Sequence, residues 1–280
     1  MEKSYVWGID LGGTKIECAV LSAADLTQVI ARERIDTEAS KGYEHIISQV
    51  ARLVSRVSEQ LGVSPKRIGF ATPGVLNPAT QTMKNCNTTS MNGRPMAADL
   101  TKALGVEVRL ANDANCFALA ETHLGAVQDV NPKAEVVFGI IMGTGVGGGL
   151  VVHGQVINGL HGIGGEWGHN ILEEGGKACY CGKSGCVEHV ISGPALEEFY
   201  FSISGQKLRM PQILQAHLAG TDIHASATIE RMLENFGRAV STLINVLDPQ
   251  VIVIGGGVGN IDLLYTEGIE RIKKYIFNSG

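Results

Sequence analysis

Four residues whose side chains commonly bind zinc lie close together in the second half of the sequence: His169, Cys179, Cys181 and Cys186. One imidazole and three thiolates make a complete tetrahedral ligand set for zinc. Reactive redox cysteines are an alternative interpretation, whereas a disulfide is disfavoured in an intracellular protein. Because the protein would fill all four positions around the ion, we predict a structural zinc site without an open position for catalysis.

Two carboxylates accompany these residues, Glu166 three residues before His169 and Glu188 two residues after Cys186. A carboxylate is a strong hydrogen-bond acceptor for hydroxyl groups. Either glutamate alone is more typical of a solvated surface. Their spacing from predicted metal ligands would hold both carboxylates in fixed directions, so we interpret them as candidate ligands for sugar hydroxyls.

Two turns rich in glycine and threonine each lie between apolar stretches: the first glycine turn, residues 12–14, and the second glycine turn, residues 143–149. Backbone N–H groups in such turns form anion-binding nests. The second turn matches the dinucleotide pattern G-x-G-x-x-G, but a strand follows it where that fold requires a helix. Residues 182–184 resemble the end of a P-loop, but Lys177 occupies the leading glycine position. Either turn alone is typical of a structural hairpin; the pair, with Asp10 beside the first, favours polyphosphate binding.

The alternation of apolar strands with helical patterns predicts an α/β fold that positions these residues. A helix is predicted over residues 43–61, closed by Gly62, another over 114–124 with Asp113 as its N-cap, and a third over 263–277. The strand–turn–strand pattern around the two glycine turns suggests two domains of related construction, 1–117 and 118–280. The predicted strands cover residues 5–11, 16–21, 67–72, 106–111, 136–142, 150–152 and 251–254.

The composition restricts the function classes. A net charge of −5 argues against nucleic acid or an anionic membrane as the main partner. No apolar run approaches membrane-spanning length and no signal-type leader precedes the first strand, which predicts a cytoplasmic protein. The remaining cysteines, Cys18, Cys86 and Cys116, are predicted to be ordinary buried thiols.

In combination these residues resemble the ROK family, which contains bacterial sugar kinases and repressors within the actin-like ATPase superfamily. The resemblance implies a two-lobed actin-like (ribonuclease H-like) α/β fold with a central cleft. It runs in family order along nearly the whole chain: residues 8–15 are similar to the first phosphate motif, 110–115 to the catalytic segment, 143–149 to the second phosphate motif, 166–169 with 179–188 to the signature and zinc site, and 253–257 to the adenosine motif.

The resemblance further implies an ATP-dependent hexose kinase that uses Mg²⁺ and a structural Zn²⁺. Asp113 would be the general base that takes a proton from a sugar hydroxyl, usually the 6-hydroxyl. His169 would serve both zinc and sugar, with one ring nitrogen for each. The implied sugar-binding residues are Gly74, Asn87, Gly93, Asn112, Glu166, His169 and Glu188. The implied nucleotide-binding residues are Asp10, which would position magnesium, and Gly12, Gly13, Thr14, Lys15, Gly143, Thr144, Gly145, Gly255, Gly256 and Gly257.

Residues 165–170 and 179–183 look most similar to bacterial fructokinases and mannokinases, so fructose or mannose is the expected substrate. Kinases for N-acetylglucosamine share much of this pattern, including residues 113–119, and these kinases and glucokinases of the family are alternatives. A sugar-responsive repressor would carry a helix-turn-helix domain before the first phosphate motif, which here begins within ten residues. A catalytically silent sugar-binding protein is a further alternative.

Two further expectations follow from the resemblance alone. One is that the protein forms a homodimer. Family members usually continue beyond the helix predicted over 263–277 with a strand, a glycine-containing turn and a closing helix. The sequence ends at Gly280, which suggests a shortened chain or incomplete packing on the nucleotide side.

Overall fold

The computed structural model describes residues 4–277, which form two compact units. The first unit contains the chain up to Cys116 together with Asn158–Gly164, and the second contains Phe117–Ile157 together with the chain from Gly165 onward. The sequence predicted a single boundary, after residue 117, and so placed Asn158–Gly164 in the second domain. The structure groups these residues with the first unit. The α/β class predicted from the sequence is confirmed in both units.

The first unit contains the strands β1 (Tyr5–Leu11), β2 (Lys15–Ser22), β3 (Val29–Asp36), β4 (Arg67–Thr72), β5 (Val75–Leu76), β6 (Met83–Lys84) and β7 (Glu107–Asn112). Five of them form a sheet in the order β3-β2-β1-β4-β7, and β5 and β6 form a separate short pair. β1 and β2 form an antiparallel hairpin, whereas β1, β4 and β7 run parallel. The carboxyl ends of three parallel strands therefore meet at one edge of the sheet.

The core of the first unit lies between one face of this sheet and two helices, α1 (Tyr43–Leu61) and α2 (Met96–Leu104). Alternate residues of β1, such as Trp7 and Leu11, are buried there. α1 contributes its apolar stripe, including Ile46 and Leu53, to the same cluster. It ends at Gly62 in the left-handed region, with φ of 66°, where glycine carries no Cβ penalty.

The second unit contains the strands β8 (Val136–Met142), β9 (Val146–Val152), β10 (Gln155–Val156) and β11 (Val251–Gly255). They form one sheet in the order β10-β9-β8-β11. Helix α3 (Asp113–Leu124) begins in the first unit and continues into the second. The remaining helices are α4 (Ala126–Val130), α5 (Glu188–Ile191), α6 (Gly193–Ser204), α7 (Met210–Leu218), α8 (Ile223–Leu247) and α9 (Glu267–Lys273).

Helices cover both faces of the second sheet. Phe138 and Ile140 of β8 belong to a core cluster with residues of α6, α7 and α8. Val137 of the same strand belongs to a smaller cluster with Ala118 of α3. A Cβ at Gly139 would lie 2.6 Å from the Cβ of Ala118, so glycine at this position allows α3 to approach the sheet closely.

All the predicted strands are present, and the helix over Tyr43–Leu61 is confirmed. β9 begins at Val146, four residues before the predicted start at 150, so the second hairpin turns within residues 143–145. The helix predicted over 263–277 is wrong in extent: a short 3₁₀ turn, Asp262–Tyr265, precedes α9, because Thr266 adopts a non-helical conformation between them. β3, α2 and the helices from α6 to α8 were not predicted. Within residues 4–277, no helix combines the length and the apolar character that crossing a membrane requires.

Candidate functional site

Two carboxylates stand at the edge of the first sheet where its parallel strands end. Asp10 lies near the end of β1 and is paired with Ala71 of β4, which is in turn paired with Ala111 of β7. Asp113 follows β7 directly as the first residue of α3. The topology therefore brings the predicted magnesium residue and the predicted base to the same edge.

Asn112 caps helix α3. Its Oδ1 atom accepts hydrogen bonds from the backbone N–H groups of Ala114 at 3.0 Å and Asn115 at 3.2 Å. The prediction that Asp113 is the N-cap is therefore wrong, although its Oδ1 also accepts a bond from Ala114 N at 2.7 Å. Because Asn112 accepts from two of the unpaired N–H groups of the first turn, the start of the helix does not depend on Asp113 as a cap.

Loss of hydration raises the pKa of Asp113, and repulsion from the Asp10 carboxylate adds to the rise. The hydrogen bond from Ala114 opposes it and is outweighed. The loss of hydration thus outweighs the helix N-terminus, which by itself favours a carboxylate. The pKa of Asp10 is also raised, first by loss of hydration and then by Glu17, against the attraction of Arg34. A raised pKa makes the deprotonated Asp113 a stronger proton acceptor.

The first glycine turn is held by backbone bonds and by Thr37. Gly12 N donates to Lys15 O at 2.9 Å, and the Thr37 hydroxyl donates to Gly12 O at 2.6 Å. The Thr37 N–H group donates to Thr14 O at 2.9 Å. Lys15, a predicted nucleotide residue, forms an exposed ion pair with Asp36.

The three predicted sugar residues that lie between β4 and α2 occupy tight turns. Gly74 has φ of 154°, and a Cβ there would lie 2.5 Å from Cys86 Sγ. Gly93 has φ of 78° and donates its N–H to Met83 O. Asn87 lies in a loop that Asn92 closes through two hydrogen bonds with the backbone of Cys86. Asn92 was not among the predicted site residues, because a bond to the backbone six residues earlier leaves no local signal in the sequence.

In the second unit, the second glycine turn lies beside the predicted adenosine motif. A Cβ at Gly143 would lie 3.8 Å from Gly257 N, and Val258 N donates to Met142 O at 2.9 Å. Gly256 has φ of 87°, and a Cβ there would lie 2.4 Å from Met142 O. The second glycine turn and the predicted adenosine motif are therefore neighbours, and the absence of a side chain at Gly256 allows their backbones to meet.

The short turn that carries Glu166 and His169 packs against β9. Trp167 Nε1 donates to Gly147 O at 2.9 Å. A Cβ at Gly168 would lie 1.9 Å from Val146 O, so the chain passes this strand at a distance that only glycine permits. The contacts with β9 therefore fix the backbone that carries Glu166 and His169.

The cysteine cluster, defined as His169, Cys179, Cys181 and Cys186, has the geometry of a zinc site. All four ligand atoms lie within 4.8 Å of one another. The Sγ atoms of Cys181 and Cys186 are 3.6 Å apart, and Cys179 Sγ is 3.5 Å from His169 Nδ1. Tetrahedral zinc with bonds of about 2.3 Å to sulfur and 2.0–2.1 Å to nitrogen requires separations of about 3.8 and 3.5 Å.

The protonation state of the histidine also suits a metal. Loss of hydration lowers the pKa of His169, which favours the neutral imidazole that binds metal ions. The residues present therefore fit the predicted zinc ion.

Tyr180 contacts the nitrogen of His169 that points away from the cysteines. The Tyr180 hydroxyl lies 2.9 Å from His169 Nε2, and the two rings meet edge to face at 5.1 Å. The resemblance assigned this nitrogen to the sugar, and the structure places a protein hydroxyl on it. With zinc on Nδ1, the Nε2–H group donates to Tyr180, an arrangement that fixes the ring of a metal-binding histidine.

A Tyr180→Phe variant is expected to bind zinc about tenfold or more weakly, because removing the partner of a ligating histidine typically costs that much metal affinity. The measurement is competition with a chelator of known zinc affinity. Tyr265→Phe is the matched control, since it removes a hydroxyl that donates to Gly259 O in the same unit. Equal zinc affinities for Tyr180→Phe and the unmodified protein would show that Tyr180 does not support the metal ligand.

Comparison with known proteins places these features in a family. The ROK family model matches residues 6–279. An N-acetyl-D-glucosamine kinase of Pasteurella multocida is 38% identical over 270 residues, covering 92% of this chain and 86% of that protein. An N-acetyl-D-glucosamine kinase of Vibrio vulnificus is 34% identical over 282 residues, covering 97% and 90%. The crystal structure of the ROK hexokinase from Thermus thermophilus superposes with a TM-score of 0.83 at 32% identity, covering 97% of this chain and 89% of that one.

The protein is thus a sugar kinase with the actin-like ATPase fold, as the sequence motifs predicted. Within that class, the chain belongs to the ROK family.

Proposed function

We propose that this ATP-dependent sugar kinase acts on N-acetyl-D-glucosamine. The two relatives at 34% and 38% identity, which match this chain along nearly its whole length, are N-acetyl-D-glucosamine kinases. The fructose or mannose expected from the sequence has no support in these comparisons. The alternative that the sequence left open, N-acetylglucosamine, is therefore the substrate we assign.

Asp113 is the general base in this proposal. Its carboxylate takes the proton from the 6-hydroxyl of the sugar as that oxygen attacks the γ-phosphorus of ATP and ADP leaves. The observation that carries this role is the raised pKa of a carboxylate placed directly after β7 and next to the charge of Asp10. Phosphoryl transfer depends mainly on alignment and on charge stabilisation, so the protein needs to supply only one positioned base for proton transfer.

The glycine turns supply the phosphate-binding groups. The backbone N–H groups of Gly13 and Gly145 bind phosphate oxygens, and the hydroxyls of Thr14 and Thr144 add donors. Gly12 and Gly143 shape the turns, since their N–H groups donate to Lys15 O and Gly145 O at 2.9 Å. Asp10 holds Mg²⁺, directly or through water. Its chemistry fits, since carboxylates are preferred magnesium ligands and a cation would offset the repulsion between Asp10 and Asp113. When bound, the ion neutralises charge that develops on the phosphates.

The cysteine cluster binds zinc as a structural ion in this proposal and fixes the segments that carry Glu166, His169 and Glu188. Glu166 and Glu188 bind sugar hydroxyls. The two ring nitrogens of His169 contact the cysteines of the cluster and the Tyr180 hydroxyl, so His169 supports the zinc site rather than the sugar. Gly74, Asn87, Gly93 and Asn112 supply the remaining sugar contacts.

A coupled assay for ADP release, with ATP and magnesium, tests the substrate across N-acetylglucosamine, mannose, fructose and glucose. We expect the highest kcat/KM with N-acetylglucosamine and turnover about 10²–10⁴ times slower in the Asp113→Asn control. A higher kcat/KM with fructose or mannose would contradict the assignment and restore the expectation from the sequence. Absence of turnover on every sugar, from folded and zinc-loaded protein, would contradict the catalytic proposal.

A further inference from the structure

We infer that Glu188 is a positioning residue for the nucleotide-binding turn as well as a sugar ligand. The inference deepens the proposed function and rests on it, because it assigns to one side chain the task of linking the sugar-binding segment to the second glycine turn. All the contacts that carry it lie within the second unit.

The carboxylate of Glu188 is bonded to the backbone of the second glycine turn. Its Oε2 atom accepts a hydrogen bond from Val146 N at 3.1 Å, where the turn passes into β9. A Cβ at Gly145 would lie 2.5 Å from the same oxygen. The turn and the carboxylate are therefore in direct contact, and glycine at 145 leaves room for it.

A second bond joins the same two segments. Gly193 N, at the start of α6, donates to Gly143 O at 2.9 Å. The first residue of the turn is thus held by the segment that follows Glu188, while Val146 is held by Glu188 itself. The peptide groups between these two points include the Gly145 N–H group that we propose for phosphate binding.

The cysteine cluster in turn holds Glu188. Cys186 is fully buried two residues earlier and forms a β-bridge with Ile171. Val187 N donates to Asn170 O at 2.9 Å, which ties the segment to the residue after His169. The backbone leading into Glu188 is therefore fixed before its side chain reaches the turn.

A charged acceptor fixes a backbone N–H group more firmly than a neutral one. With Oε2 on Val146, the Oε1 atom of Glu188 is the one that meets a sugar hydroxyl. A sugar that orders this side chain then also orders the turn, so sugar and nucleotide are expected to strengthen each other's binding to the same degree.

The test is the affinity for ADP in the absence of sugar, measured by calorimetry for the unmodified protein, Glu188→Gln and Glu188→Ala. Glutamine keeps an acceptor oxygen for Val146 N, whereas alanine removes it. We expect Glu188→Ala to bind ADP about 5- to 20-fold more weakly and Glu188→Gln to stay within about threefold of the unmodified protein. Both variants are expected to weaken sugar binding.

Hydrogen exchange of the ligand-free proteins supplies a second readout that does not depend on affinity. The peptide covering residues 143–146 should exchange faster in Glu188→Ala than in Glu188→Gln, with β11 as the unchanged internal reference. Zinc content and melting temperature are measured on the same samples.

Unchanged ADP affinity and unchanged exchange in Glu188→Ala, together with weakened sugar binding, would overturn the inference and leave the proposed function standing. The reverse failure is distinguishable. If the unmodified protein turned over no sugar while ADP affinity still depended on the Glu188 acceptor, the proposed function would fail and the positioning role would remain.

Discussion

An Asp113→Asn variant will fold and bind both substrates but will phosphorylate sugar about 10²–10⁴ times more slowly, the usual contribution of a positioned general base. Asparagine has nearly the same shape and keeps an oxygen for the bond from Ala114 N, so the start of α3 should be undisturbed. Because the change removes proton acceptance and little else, the loss should appear in kcat rather than in KM. The measurement is steady-state ADP release.

The pH dependence of the same reaction supplies the discriminating readout. A base acts in its deprotonated form, so kcat/KM must fall as the pH decreases through the pKa of Asp113. That pKa is raised above its ordinary value by loss of hydration and by Asp10, which places the acidic limb at higher pH than a free aspartate would. The residual activity of Asp113→Asn should lack this limb.

Asp25→Asn is the matched control, since it makes the same chemical change at an exposed aspartate that holds Thr27 in the turn after β2. It should retain the kcat and the pH profile of the unmodified protein. A wild-type kcat in Asp113→Asn would remove Asp113 from the proposed mechanism and leave it a structural role beside the Asn112 cap.

A Cys186→Ser variant is expected to lose stoichiometric zinc and to melt on the order of 10 °C lower than the zinc-loaded protein. Zinc present at about 1,000 times its Kd stabilises the folded state by about 4 kcal/mol. Each kcal/mol shifts the melting temperature of a chain of roughly this size by about 2–4 °C. Cys186 is the ligand to test because its side chain is fully buried and no solvent molecule can readily replace it. Zinc content and thermal unfolding are the measurements.

Cys116→Ser provides the control for this prediction, because Cys116 lies in α3 outside the cysteine cluster. It should retain one zinc per chain. Treating the unmodified protein with a chelator should reproduce the lower melting temperature, and adding zinc back should reverse it. A purified protein that contains no zinc yet melts at the same temperature with and without added zinc would contradict the prediction.

Local patterns were sufficient to predict most strands and the cysteine cluster from the sequence. β1 and β8 are short apolar runs, each followed directly by glycine, and both properties can be read from neighbouring residues. β3 was missed because charged residues such as Arg32 and Glu33 interrupt its apolar alternation. The longest helix, α8, carried a readable signal in the spacing of Met232, Phe236 and Val240, all of which are buried.

The contacts that give the site its detail depend on tertiary structure. Asn112 and Asp113 are adjacent and both are suitable caps, so propensity could not choose between them. The choice follows from the pairing of Asn112 with Thr72 at the end of β7. The hydroxyl of Tyr180 on His169 and the carboxylate of Glu188 on Val146 each join residues that only the folded chain brings together.

The assignment of Asn158–Gly164 to the first unit means that the backbone changes unit at three places, after Cys116, Ile157 and Gly164. Gly162, one of these seven residues, packs closely against the first unit, since a Cβ on it would lie 3.3 Å from Leu76 O in β5. Neither unit is therefore a continuous stretch of sequence, and one proteolytic cut or one stop codon cannot release either of them whole. A fragment ending at Cys116 would lack a piece of its own surface, so separate production of the first unit requires these residues to be supplied by a designed linkage or as a complementing peptide.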